Sequence, residues 1–320
     1  MLRNVVASIL LAAAVSPGAP AAEVYPARPI RIIVPNTPAG FADLSTRVIA
    51  AKLPAALGQQ VLVENRPGAG GTIGTAAAAR SAPDGYTLVA VFDSHASNPF
   101  LFKNIEYDTL ADLAPITFTA RGAMVLVACP KLGVKSAQEL VQLARARPGT
   151  VNFAIAGQGS PSRLLLELLK LETRVEVTMV PYKGAGPALT DIVAGQSDAM
   201  FATSPAVSAH IKAGRLVALA ITSEKRSAFL PGVPTMSETY PGFVSEPWVG
   251  LLAPAKTPPE IIARLHDEVG KVLAMPDVKA RFAELGLDAT GSTPAQLDKW
   301  IRTELERWGK VIREQKISIE

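Results

Sequence analysis

Short apolar runs recur along the chain, and between them apolar residues return every three or four positions. The runs at 30–35, 61–65, 87–92, 115–121, 124–129, 151–156, 177–182, 198–203, 216–222 and 248–253 are rich in Val, Ile and Phe and are bounded by Gly, Pro or polar residues, which predicts strands. Helical spacing predicts helices over 43–57, 71–80, 136–147, 162–172, 186–194, 206–213, 258–274, 276–285 and 294–315. Strand alternating with helix predicts an α/β protein with parallel sheets covered on both faces.

So many strands exceed one ordinary sheet, which predicts two lobes. The stretch PITFTARGAMVLVACP (115–130) holds two strand-like runs joined through Arg121, Gly122 and Ala123, and reads as a crossing with a glycine at the bend. A return crossing is expected near 222–231. The expected organisation is a signal segment at 1–22, a discontinuous first lobe (23–122 plus 228–320) and a continuous second lobe (123–227). Two crossings make a hinge, and a cleft between α/β lobes is a natural ligand site.

Composition narrows the class. Of 320 residues 48% are hydrophobic and 19% charged, which suits a filled core. The net charge of +4 is spread along the chain without a Lys/Arg block, so nucleic acid is not an expected partner. Arg3, an apolar run over 5–15 and the small-residue exit Pro17-Gly18-Ala19-Pro20-Ala21-Ala22 predict a cleavable secretory signal, cut after Ala22. Cys129 is the single cysteine, and export without disulfides suits the bacterial periplasm. His95, His210 and His266 lack metal-ligand spacing, so neither a metal nor a cofactor is expected.

Ligands of open α/β sheets bind beyond the carboxyl ends of the strands. The loops there are Asn36 to Asp43, NRPGAGGTIG (65–74), DSHASNP (93–99), AGQGSPSR (156–163), PYKGAGPAL (181–189) and ATSPA (202–206). Most join small residues to hydroxyls, amides or free N–H groups at a helix start, an arrangement that binds anions without fixed positive charge. The strongest is Gly157-Gln158-Gly159-Ser160-Pro161-Ser162: two glycines for close approach, a serine to cap, a proline for the first turn. It reads either as a carboxylate cradle or as a well-capped helix. Arg163 beside it is either an anion partner or a solvated arginine. NRPGAGGTIG departs from the dinucleotide and phosphate-loop patterns and reads as a structural turn on an edge strand. No GxSxG is present, and adjacent Ser94 and His95 are poorly placed as nucleophile and base, which argues against a hydrolase. Trp248 could stand at the rim of the return crossing.

The stretches YPARPIRIIVP, VLVENRPGAGGTIG, APDGYTL, VPYKGAGPALTDIVAGQSDAMF, HIKAGRLVALAITSEKRS, LPGVPTMSE and WVGLLAPAKTP occur in this order. Through them nearly the whole mature chain resembles the periplasmic solute receptors of tripartite tricarboxylate transporters, the Bug family. The resemblance implies a two-lobe type II periplasmic-binding-protein fold, capture of a small carboxylate between the lobes, delivery to a two-part membrane permease, and no catalysis. It carries ligand contacts onto Pro38, Ala39, Gly40, Phe41 and Asp43; Ser94 and His95; Gly157, Gln158, Gly159, Ser160 and Ser162; Tyr182, Lys183 and Gly184; and Thr203 and Ser204, with Arg163 alongside. The family's first loop usually reads Pro-Gly-Gly-x-x-Asp, whereas this chain has Ala39 and Phe41. Arg163 and Ala202 replace a frequent His and Asp. These departures imply a ligand with an apolar or aromatic body, its face covered by Phe41. A monomer serving uptake is expected; a co-receptor for a membrane sensor is the alternative, and a secreted hydrolase the remote one.

Overall fold

A computed structural model describes residues 25–314 together with 316 and 317; the expected signal segment lies outside the described residues. The chain runs β1 (Ile30–Val34), α1 (Phe41–Ala50), α2 (Leu53–Leu57), β2 (Val61–Asn65), α3 (Thr72–Ala79), β3 (Thr87–Phe92), α4 (Ser94–Leu101) and β4 (Leu113–Gly122). It continues with β5 (Met124–Ala128), α5 (Ala137–Ala146), β6 (Asn152–Ile155), α6 (Pro161–Thr173), β7 (Thr178–Pro181), α7 (Ala185–Ala194), β8 (Ala199–Thr203), α8 (Ser204–Lys212) and β9 (Val217–Ile221). It ends with β10 (Trp248–Pro254), α9 (Pro259–Ala274), α10 (Pro276–Glu284), β11 (Leu287–Asp288) and α11 (Pro294–Glu314).

The strands form two sheets, one in the order β11-β4-β10-β3-β1-β2 and one in the order β7-β6-β8-β5-β9. Alternate residues of the first sheet feed opposite faces. Ile30, Ile32 and Val34 join one core cluster with Leu88 and Ala90, while Ile33 joins the other with Val89 and Val91. Helices therefore cover both faces. The second lobe has one large core, built on the wholly buried β5.

The sheets are mixed rather than parallel. The β1–β2, β1–β3, β6–β7 and β6–β8 pairs are parallel. In contrast, β10 runs antiparallel to β3 and β4, and β5 runs antiparallel to β8 and β9. The reason is connectivity. β5 and β10 enter their sheets from the crossings between lobes, at the edge where their neighbours end, as Met124↔Thr203 and Trp248↔Arg121 show. Periodicity does not report strand direction, so the alternation could not reveal this.

Three further differences have local causes. The expected helix 43–57 divides at Ala51 and Lys52, because Pro54 in the first turn of α2 has no N–H to continue the ladder. The segment read as a loop at 93–99 is largely α4, hidden by its polar sequence and internal Pro99. The two-residue β11 was too short to register. After β9 the chain stays on the second lobe: Met236 and Phe243 belong to its core, Phe243 stacking on Phe201 with centroids 5.9 Å apart. Only at Ser245, whose N–H donates to Thr222 O (2.8 Å), does it turn back. Trp248 is fully buried against Phe118, so it is a core residue and not a rim residue. Its large ring fills the space behind Gly250, where an added Cβ would come within 3.1 Å of it.

Candidate ligand cleft

The first-lobe loop leads into α1, whose Ncap is Gly40. Asp43 is buried and organises the whole turn. One carboxylate oxygen accepts from Ala39 N–H (2.8 Å); the other accepts from Arg47 Nε (2.9 Å) and Asn65 Nδ2 (2.9 Å). Arg47 also donates to Asn65 Oδ1 (2.8 Å), and Asn65 Nδ2 to Asn36 O (3.1 Å), which ties the loop to the end of β2. Burial alone would raise the Asp43 pKa; the bonds from Arg47, Ala39 and Asn65 outweigh it and lower it. Ala39 sits at φ 61°, the left-handed region. Phe41 is only 3% exposed: its ring packs 5.3 Å from Phe92 and lies beside Gly122. The ring thus fills the first lobe's core below the crossing and is not a free wall for a ligand. Its place at the first position of α1 directs it inward.

The second-lobe loop is held by hydroxyls. Ser160 caps α6 by accepting from Arg163 N–H, and its Oγ donates to Gly157 O (2.7 Å). Ser160 and Ser162 share a hydrogen bond (2.8 Å), and Ser162 Oγ accepts from Ala156 N–H (2.9 Å). Gly157 adopts φ 127°, open only to glycine. Arg163, buried, donates to the backbone and side-chain oxygens of Gln158 (3.2 and 2.6 Å), and burial lowers its pKa.

Other expected contact residues also spend their side chains inside the protein. Ser94 Oγ donates to Gly70 O (3.1 Å). His95 stacks on Tyr107 beneath the surface at 5.9 Å, and burial lowers its pKa to about 4, so it is neutral at neutral pH. Tyr182 OH donates to Asp191 Oδ2 (2.8 Å) and meets Ser197. Ser204 Oγ donates to Ala123 O (3.0 Å) at the crossing. Lys183 is exposed. Asp93, just before Ser94, has a pKa raised by burial and then by the charge of Glu304.

The lobes nevertheless bring these loops together. Gly184, Ncap of α7, lies opposite Thr37, about 4.0 Å from where its Cβ would be, and Gly157 lies beside Tyr182 O. Phe102 meets Gly159 across the gap. Among the described residues no side chain caps the starts of α1, α4, α7 or α8. Helix starts carry unpaired N–H groups and partial positive charge, so they can take an anion directly. Sequence reasoning passed over Thr37, which carries no motif, and Phe102, which ends a helix the pattern concealed. It set aside NRPGAGGTIG as structural. β2 is indeed an edge strand, and Gly70 O braces Ser94 and Asn98 (3.1 Å each). Among the described residues no His, Cys, Asp and Glu cluster could hold a metal ion.

Comparison with known proteins agrees with this architecture. The family profile described as tripartite tricarboxylate transporter family receptor matches residues 45–317. Protein BugT of Bordetella pertussis is 44% identical over 299 residues, spanning 92% of this chain and 91% of BugT. Among solved structures, an R. palustris protein with adipate superposes with TM-score 0.88 at 32% identity, covering 92% of this chain and 100% of that one. MatC from Rhodopseudomonas palustris with bound malate superposes with TM-score 0.83 at 32% identity, covering 90% and 100%.

Proposed function

The chain belongs to the tripartite tricarboxylate transporter receptor family, whose members are solute-binding receptors and not enzymes, and on that premise we propose that it captures a small carboxylate with an aliphatic body. The observation that carries the proposal is the spending of side chains. Asp43, Ser94, Tyr182, Ser160, Ser162 and Ser204 all bond within the protein, which leaves main-chain N–H groups at helix starts to meet the ligand. Such donors suit carboxylate oxygens, whose burial without partners is costly. The adipate and malate held by similar proteins support this class.

The ligand's carboxylates meet the turn around Gly40 in the first lobe and the turns around Gly159 and Gly184 in the second, and closure buries them. We place the hinge at Gly122–Ala123 and in the return between Thr222 and Trp248. Delivery to membrane permease subunits and residence in the periplasm follow from the family reading; no helix among the described residues is long and apolar enough to cross a membrane. The packing of the buried Phe41 ring against Phe92 supports an aliphatic over an aromatic ligand body. The test is a thermal-shift and calorimetry panel of malate, succinate, adipate and benzoate. A true ligand raises the melting midpoint once its concentration passes its dissociation constant. An aliphatic dicarboxylate is expected to bind, and Phe41→Ala to weaken every binder alike through the fold. Tight binding of benzoate alone, lost selectively in Phe41→Ala, would overturn the aliphatic reading.

A further inference from the structure

The lobes fit closely where the end of α4 in the first meets the Gly157–Ser160 turn of the second. Phe102 follows α4 in the first lobe. A Cβ built on Gly159, in the second-lobe cradle, would come within 2.9 Å of Phe102 Cε2 and 3.0 Å of Cζ. A Cβ built on Gly70, in the first lobe, would come within 2.9 Å of the same Cε2. The ring edge is therefore held between two glycines of different lobes. It cannot swing away from Gly159 without meeting the Gly70 turn, which Ser94 and Asn98 fix in place. A second contact lies beside the first. Leu164, four residues beyond Ser160 on α6, is buried in the cluster of Leu101, Trp308 and Ile312, and among the described residues it is that cluster's only second-lobe member.

We propose that Phe102 and Gly159 form a closure seat that sets ligand affinity by favouring the closed form, a role that rests on the cleft being the carboxylate site. The seat is made only when the lobes approach, so it stabilises the closed form relative to the open one. Apparent affinity scales with the fraction of protein in the binding-competent form, so every ligand gains from the seat by the same factor. Gly159 is not in the left-handed region, so alanine there is tolerated by the backbone. In the open form the added methyl faces empty space; in the closed form it strikes a ring that has nowhere to go. Gly159→Ala is thus a probe of closure and not of folding. Phe102→Ala removes the same contact from the opposite side.

The experiment uses the full mature chain with spin labels on the exposed positions Ile73→Cys in the first lobe and Leu171→Cys in the second. Interlobe distances are read by double electron–electron resonance, without ligand and with adipate or malate. The expected result is a short-distance component that falls at least twofold in Gly159→Ala and in Phe102→Ala, and that returns in the double variant Gly159→Ala, Phe102→Leu, where a smaller side chain makes room. In calorimetry the dissociation constants for adipate and malate rise about tenfold and by equal factors. Unchanged distance distributions in both single variants, or a wild-type protein with no short component even at saturating adipate, would overturn the seat. If adipate and malate bind no variant and not the wild type, the carboxylate reading fails instead, and the ligand-free distributions still decide the seat. Circular dichroism melting of each variant separates a lost seat from a lost fold.

Discussion

The two lobes solve the same problem with different chemistry. Each must hold fixed a loop that leads from a strand into a helix. The first lobe uses a buried carboxylate, Asp43, with Arg47 and Asn65 as partners. The second uses a neutral chain of hydroxyls, Ser160 and Ser162, closed on Gly157 O and Ala156 N–H. The charged brace concentrates its stability in one residue and exposes it to pH. The neutral brace divides its stability among several ordinary hydrogen bonds. It follows that a single substitution should damage the first loop more than the second.

The largest effect is expected from Asp43→Ala. It strands the Ala39 N–H and one N–H of the Asn65 amide and leaves Arg47 without its carboxylate, so a loss of about 3 kcal/mol in urea denaturation is expected. A loss under about 1 kcal/mol would mean that the surrounding helix, not the carboxylate, shapes the loop. Acid should approach this effect without exceeding it. Asp43 has a folded pKa below its unfolded one, so its contribution is complete above about pH 4 and is lost as pH falls through the folded value. Protection of the Ala39 amide in hydrogen exchange should therefore fall in acid. Protection of Ala156, bonded to the Ser162 hydroxyl, should persist. Parallel loss at both amides would show one unfolding unit and erase the distinction between the lobes.

Ser162→Ala tests the neutral brace. It removes the acceptor for Ala156 N–H and the partner of Ser160, and a loss of about 1.5 kcal/mol is expected by the same denaturation measurement. Ser160 keeps its bond to Gly157 O and its capping role, so the loop loosens without collapsing. A loss equal to that of Asp43→Ala would end the comparison as drawn.

What the sequence made legible follows the same division. Strands could be read because burial on both sheet faces leaves each a short apolar run, as Ile32 and Ile33 display by entering opposite clusters, and most helices because one buried face repeats every three or four residues. The helix cap at Ser160 could be read because capping chemistry is local: the Ser, the Pro and the N–H they serve lie within a few residues. Long-range partners could not be read. Nothing near Asp43 announces Asn65, 22 positions away, and nothing near Ser204 announces the Ala123 carbonyl. The same limit explains Phe41 and His95. Their residue types suit a ligand, but the ring of Phe41 turns to Phe92 and that of His95 to Tyr107, choices made by tertiary packing. Strand direction in β5 and β10 was likewise set by where the chain crosses between lobes.

The smallest expected effect is a gain. Ala39 holds a left-handed conformation at φ 61° because the Asp43 carboxylate takes its N–H and fixes the turn. A side chain at such an angle costs about 1 kcal/mol relative to glycine. Glycine also widens the unfolded ensemble, which offsets part of the difference. Ala39→Gly should therefore raise stability by about 0.5 kcal/mol in denaturation. If the charged brace is what forces the strained angle, the gain must depend on it. In an Asp43→Ala background the loop can relax Ala39 toward an ordinary angle, and the glycine substitution should then gain nothing or lose slightly. A gain of equal size in both backgrounds would show that the turn is fixed by Gly40 and the start of α1, and that Asp43 follows the loop instead of shaping it.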